Sequence, residues 1–127
     1  MPTRRLPLVV LAALLVPAAS YAMLHLKLVR SEPAANATLA AAPAQVKLWF
    51  SQAPQLPVTR LSLVRADGAP TALTPVTRAD GANEPIVAPL PAGLAPGTWT
   101  IRWRTVAKDG HAVKGDVRFT IAAPAAR

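Results

Sequence analysis

The chain has 127 residues, with 14 Lys and Arg against 6 Asp and Glu, 14 Pro, 6 Gly and no Cys. This length suits one compact domain, and the lack of cysteine excludes disulfides, thiolate metal sites and cysteine nucleophiles. A hydrophobic content of 52% supports a packed core and argues against general disorder. The formal net charge of +8 permits contact with an anionic partner but does not require one.

Residues 1–22 have the three parts of a secretory signal peptide. Two arginines precede an apolar run at residues 6–16, and a small-x-small cleavage pattern ends at Ala22. An uncleaved membrane anchor is the alternative, but the prolines in this stretch argue against a clean spanning helix. We therefore predict export, cleavage after residue 22 or as late as residue 24, and a mature domain over residues 23–127. Loss of the two arginines lowers its net charge to +6.

Apolar and polar side chains then alternate with a period of two, which is the pattern of half-buried antiparallel strands. Asp-Gly and Pro-Gly pairs supply turn signals between these segments, and the prolines break any long helix. Short strands with frequent turns predict an all-β sandwich, followed by a frayed tail at residues 122–127. The alternating segments are residues 45–51, 60–64, 98–106 and 116–121.

Several basic residues fall on the outward positions of the predicted strands, namely Arg102, Arg104 and Arg118. This arrangement is typical of a solvated sheet face and does not by itself indicate an anionic partner. Nucleic acid is disfavoured further, because the protein is predicted to be exported and has only 3 Trp, 1 Tyr and 2 Phe for stacking on bases.

Three polar residues are the strongest candidates for chemistry. His25 stands at the start of the mature domain, and Asp109 and His111 flank Gly110 between two strand patterns. Two imidazoles and a carboxylate suit Cu(II), Ni(II) or Zn(II), and a free N-terminal amine near His25 would add a fourth donor. Nitrogen-rich tetragonal coordination favours Cu(II).

Each of these residues also has an ordinary structural interpretation. In this interpretation Asp109 has no role beyond an Asx-turn, His111 is an ordinary surface residue, and His25 simply begins the first strand. A serine hydrolase is disfavoured because no serine lies in a Gly-x-Ser-x-Gly elbow. Gly-rich phosphate loops are absent from the sequence.

Three segments carry a family resemblance. The first runs from His25 through Ser31-Glu32-Pro33-Ala34, and the second, residues 43–51, has the pattern P-x-x-V-x-L-x-F-S. The third, residues 103–115, has the pattern W-R-x-V-x-x-D-G-H-x-x-x-G. Together they resemble the copper resistance protein CopC family of periplasmic copper carriers, over nearly all of residues 25–121. The stretch 52–92 is uninformative.

The resemblance implies a Greek-key β-sandwich of about seven strands, of the cupredoxin or Ig-like kind, that binds one Cu(II) ion. The implied ligands are His25 with its own amine, Asp109 and His111. Trp103 is implied as a buried aromatic residue beneath the site.

Two features depart from the family pattern. Met23 and Leu24 stand between Ala22 and His25, so cleavage after Ala22 makes His25 the third residue rather than the first. A third-position histidine can bind Cu(II) through the amine, two amides and the imidazole, which could displace Asp109 or His111. The only methionines are Met1 and Met23, so soft ligands for Cu(I) are missing and we predict a Cu(II)-only protein.

The predicted function is binding of copper in the periplasm by a monomeric, non-enzymatic protein. It would sequester the ion or deliver it to an inner-membrane copper transporter, without inserting into the membrane after cleavage. Two alternatives remain. One is a metal-free interaction module on the same sandwich. The other is an oxidative enzyme with a two-histidine copper brace, which is disfavoured because Asp109 as a fourth ligand closes the position that oxygen needs.

Overall fold

The computed structural model of the chain describes residues 12–13, 25–66, 68–81 and 83–124. The predicted cleavage site, the rest of the predicted signal peptide and residues 125–127 of the predicted tail lie outside these ranges. Residues 122–124 follow the last strand without regular structure. No helix within the described ranges is both long enough and apolar enough to cross a membrane.

The described residues form eight strands and one short 3-10 helix, so the expectation of an all-β chain is confirmed. The helix is η1 (Leu56–Val58). The strands are β1 (Leu28–Glu32), β2 (Thr38–Leu39), β3 (Gln45–Phe50), β4 (Arg60–Arg65), β5 (Thr71–Ala72), β6 (Ile86–Pro89), β7 (Gly97–Val106) and β8 (Ala112–Ile121).

The strands make a sandwich of two sheets. One sheet has the order β1-β3-β6 and the other the order β2-β8-β7-β4-β5. All pairs are antiparallel except β2 with β8. The chain changes sheet at every connection except β4–β5 and β7–β8, as a Greek-key sandwich requires. The eight described strands are one more than the expected seven, and the two shortest, β2 and β5, lie at the edges of the larger sheet.

The core lies between the two sheets and contains the side chains that the alternating patterns turn inward. Burial of each large apolar side chain contributes about 1.5–3 kcal/mol, and with no cysteine present this packing must hold the domain together. Of the apolar side chains at the alternating positions, the following are buried: Val46, Leu48, Leu61, Leu63, Ile101, Trp103, Val117, Phe119 and Ile121.

The alternating patterns predicted β3, β4, β7 and β8 but not β1, β2, β5 or β6, and β6 is the one of these four that supplies fully buried side chains to the core. Ile86 and Ala88 are fully buried in the core, but the run around them contains Pro85 and Pro89 and lacks a clean alternation. Strand β6 lies at the edge of its sheet, where it pairs with β3 along its length and is bridged on the other side at Val87 by Thr77. It therefore tolerates proline at its ends.

The longest hairpin is formed by β7 and β8, which pair without interruption from Gly97 opposite Ile121 to Val106 opposite Ala112. Residues 107–111 form its tip. This hairpin therefore carries two of the three predicted ligands at one end of the sandwich.

Candidate functional site

The tip of the β7–β8 hairpin is a tight turn closed by backbone hydrogen bonds. The Ala107 N–H donates to the His111 carbonyl and the Gly110 N–H donates to the Ala107 carbonyl, each at 2.9 Å. Gly110 has a φ of +90°, a conformation that glycine adopts without steric penalty. The turn leaves Asp109 and His111 exposed on the surface.

Asp109 binds His111 with both of its carboxylate oxygens. Oδ1 accepts the His111 backbone N–H at 3.0 Å, and Oδ2 lies 2.9 Å from the ring atom Nδ1. The backbone hydrogen bond, and then the bond from the His111 ring, lower the pKa of Asp109. Because an ionised carboxylate cannot donate, Nδ1 carries the hydrogen of this contact, and Nε2 keeps its lone pair in the neutral ring. The Asx-turn interpretation of Asp109 is thus correct, and it coexists with the contact to the ring.

His25 reaches the same end of the molecule from the segment before β1. Its ring centroid lies 6.4 Å from that of His111, with an interplanar angle of 66°. Two imidazoles on opposite sides of one metal ion, each bound at about 2.0 Å, place their centroids roughly 6 Å apart. The alternative in which His25 begins the first strand is wrong, because β1 begins at Leu28.

Ser51 fixes the segment that carries His25, and the sequence analysis did not assign it this role. The Ser51 hydroxyl donates to the His25 carbonyl at 3.3 Å and accepts the Lys27 N–H at 3.0 Å. The Ser51 N–H donates to the Lys27 carbonyl at 2.8 Å. The signal for this residue was its place at the end of the P-x-x-V-x-L-x-F-S pattern, directly after β3.

A second set of hydrogen bonds holds the hairpin tip from the segment between β3 and η1. The Gln55 side-chain amide donates to the Ala107 carbonyl at 2.8 Å, and the Gln55 N–H donates to the Val106 carbonyl at 3.1 Å. The buried hydroxyls of Thr59 and Thr105 lie 2.7 Å apart in the same region. These contacts tie the tip to the segment around η1, which no sequence pattern indicated.

Trp103 occupies the core position that was expected for it. It is buried, at 7% exposure, and makes an edge contact with Phe50 at a centroid distance of 5.0 Å. Phe50 directly precedes Ser51, so the two aromatic rings lie close to the strand end that supports His25.

The candidate site is therefore a pair of nearby imidazoles with a carboxylate bound to one of them. Within the described ranges, no three His, Asp or Glu side chains are gathered around a common point as a metal cluster. Two borderline nitrogen donors beside a carboxylate are chemically suited to a divalent ion such as Cu(II) or Zn(II).

Comparisons with known proteins agree on one family. The profile of the CopC domain matches residues 28–122. Copper resistance protein C from Xanthomonas campestris pv. juglandis is 34% identical over 120 residues, covering 89% of this chain and 91% of the relative. Protein YobA from Escherichia coli K12 is 31% identical over 97 residues, covering 76% of this chain and 78% of the relative.

A solved structure has the same architecture. The crystal structure of CopC from Methylosinus trichosporium OB3b superposes with a TM-score of 0.68 at 26% identity. The match covers 77% of this chain and 94% of the CopC chain.

Proposed function

Because the chain belongs to the CopC family, we propose that it is a periplasmic protein that binds one Cu(II) ion through His25 and His111. It sequesters the ion or delivers it to a membrane transporter, and it acts as a binding protein rather than an enzyme. The observation that carries the proposal is the 6.4 Å separation of the two imidazole rings. In the sequence, the two residues stand at opposite ends of the domain.

The donor set fits cupric ion better than cuprous ion. His25 and His111 supply nitrogen, Asp109 supplies negative charge, and the domain after residue 23 contains no methionine. Protons compete with the metal for imidazole nitrogen, so copper affinity falls as the pH is lowered. A mature N-terminal amine beside His25 remains a predicted further donor.

Asp109 has two possible roles in this site. It can bind the metal directly, as the family resemblance implies, or it can hold the His111 ring through Nδ1 so that Nε2 faces the ion. Its hydrogen bonds to His111 support the orienting role, because a carboxylate that fixes the tautomer of a metal-binding imidazole strengthens that ligand.

Copper titration of the exported protein tests the proposal. We expect one Cu(II) per chain by calorimetry and nitrogen hyperfine structure in the EPR spectrum. Replacing either histidine with alanine should weaken binding by about 100-fold or more, since each removes a nitrogen that binds the ion directly. The matched control is Lys108→Ala, an exposed residue of the same turn, which should leave affinity and spectrum unchanged. Binding that survives in both histidine variants would refute the site, and a wild type that takes up no Cu(II) would favour the metal-free interaction module.

The Asp109→Asn variant separates the two roles of Asp109. The amide oxygen of Asn can still accept the Nδ1–H of His111 but brings no charge. If Asp109 only orients the ring, the EPR parameters should stay close to those of the wild type. A direct ligand would change them.

Oxygen consumption with copper and a reductant, tested on the same samples, should remain at the level of the His111→Ala variant, since we propose no catalysis.

A further inference from the structure

The outer face of the five-stranded sheet carries a groove of about 800 Å³. Residues of β4, β7 and β8 line it, together with Pro70 and Ala72 at the β5 edge of the sheet. We call it the basic groove. Its polar and charged rim consists of Arg60, Ser62, Arg102, Arg104, Lys114 and Asp116.

Three cations of the basic groove stand in one row across three neighbouring strands. Arg60 is the register partner of Arg104, and Arg104 is the register partner of Lys114. Directly opposed side chains in a sheet lie close together, and like charges in such positions are destabilising. The fold therefore keeps an arrangement that is unfavourable for the isolated domain.

The positive charge of the row is not neutralised within the described part of the chain. Arg104 and Lys114 have no hydrogen-bond or ion-pair partner there. The Arg60 Nη1 donates only to the backbone carbonyls of Pro57 and Thr59. The single carboxylate of the groove, Asp116, lies 3.9 Å from Arg102, and both side chains are more than half exposed.

The shape and composition of the groove favour a polypeptide over a lipid surface. A concave groove can enclose an extended chain but cannot follow a planar bilayer. The two large exposed apolar residues in the described ranges, Val29 and Val58, are not among its lining residues, and the large apolar residues that do line it, Leu61 and Trp103, are buried. No large apolar side chain of the groove therefore projects outward to anchor it in a membrane interface. Carboxylates on one side of an extended segment recur about every 6.8 Å, and the long side chains of cations on successive strands, about 4.8 Å apart, are flexible enough to meet them.

We propose that the basic groove is a docking surface for an acidic segment of a partner protein, whose Asp and Glu side chains pair with Arg60, Arg104 and Lys114. The row Arg104–Lys114 stands two residue pairs from the end of the β7–β8 hairpin, about 7 Å along the strands. A partner seated in the groove thus lies beside the hairpin tip. The docking does not depend on copper binding.

The test uses a fluorescein-labelled peptide of four Glu-Ser repeats, capped at both ends, and measures its anisotropy with the full mature chain at low salt. The double variant Arg104→Gln/Lys114→Gln should bind about tenfold more weakly, because two charge pairs are lost. The matched control is Arg30→Gln/Lys47→Gln, which removes the same net charge from the other sheet. It should change the affinity less than about twofold.

A second variant tests the groove by gain of affinity. Asp116→Asn removes the only carboxylate of the basic groove, which repels an acidic peptide, so peptide binding should become tighter. A variant that simply unfolds cannot give this result. Equal losses in the two double variants, or no peptide binding by the wild type, would overturn the proposal. So would tighter, groove-dependent binding to vesicles of phosphatidylcholine with 30% phosphatidylglycerol, since that result assigns the face to a membrane.

Discussion

At the scale of single residues, Asp109 links the turn to the candidate site. The His111 backbone N–H and then the His111 ring lower its pKa, and the positive charge of His111 and His25 adds a smaller effect. A lowered pKa in the folded state means that the ionised carboxylate stabilises the fold above its unfolded pKa. This contribution disappears as the pH falls through the folded pKa.

We predict that the His111→Ala variant raises the pKa of Asp109 only partway toward its ordinary value. Alanine removes the ring contact at 2.9 Å, but its backbone N–H still donates to Oδ1, and this bond is the larger cause of the shift. The measurement is a pH titration of the Asp109 carboxyl carbon by NMR in the wild type and in the variant. A full return to the ordinary value would contradict the ranking of the two hydrogen bonds.

Ser51 is predicted to position His25 without binding metal. Ser51→Ala removes the hydroxyl contacts to the His25 carbonyl and the Lys27 N–H, each of which contributes about 0.5–1.5 kcal/mol when formed. Copper affinity should fall several-fold while the EPR parameters stay those of the wild type. Ser62→Ala, on β4, is the control and should leave affinity unchanged. Altered EPR parameters in Ser51→Ala would show that the serine contributes to the ligand set.

At the scale of elements, the β7–β8 hairpin depends on one close approach between its strands. Trp103 and Gly115 are register partners, and the indole ring covers the glycine so closely that an added Cβ would lie 2.6 Å from its nearest atom. The ring is also wedged against Phe50 at a centroid distance of 5.0 Å, so it has little freedom to move aside. The hairpin that carries Asp109 and His111 is therefore built around this contact.

The Gly115→Ala variant should destabilise the domain by about 1–3 kcal/mol, because the methyl group overpacks the buried indole. Gly68→Ala is the matched control, since its Cβ would meet nothing closer than 3.8 Å. Urea unfolding followed by tryptophan fluorescence measures both. If Gly115→Ala is as stable as Gly68→Ala, the packing of Trp103 on the hairpin is not tight.

At the scale of the whole molecule, the candidate site exists only when the two sheets are packed together. His25 enters from the segment before β1 in the smaller sheet, and His111 ends the turn between two strands of the larger sheet. An unfolded chain does not hold these rings 6.4 Å apart. Copper should therefore bind the folded state in preference to the unfolded state.

Saturating Cu(II) is predicted to raise the melting temperature of the mature protein. At a free concentration 100 times the Kd, the stabilisation is about 2.7 kcal/mol by mass action. A calorimetric scan with and without the metal measures the shift, and a chelator should reverse it. His111→Ala should lose most of the shift. An equal shift in that variant would mean that copper acts elsewhere on the chain.

The amino-acid sequence by itself determined four of the eight described strands, β3, β4, β7 and β8, with their inward faces and the residues at the hairpin tip. In each of these segments apolar residues alternate with polar ones, as at Val46 and Leu48 or at Val117 and Phe119. Successive side chains of a strand point to opposite faces, so this alternation predicts which face is buried. The contact between Asp109 and His111 could also be predicted from the sequence, because the two residues belong to one short turn.

Only the tertiary structure decided which distant residues meet. The approach of His25 to His111, the support from Ser51 and the cation row of the basic groove all depend on strand order and register. These are properties of pairing between segments far apart in the chain, and no local pattern encodes them. Strand β6 belongs with them, because its place at a sheet edge, rather than its own alternation, makes it a strand.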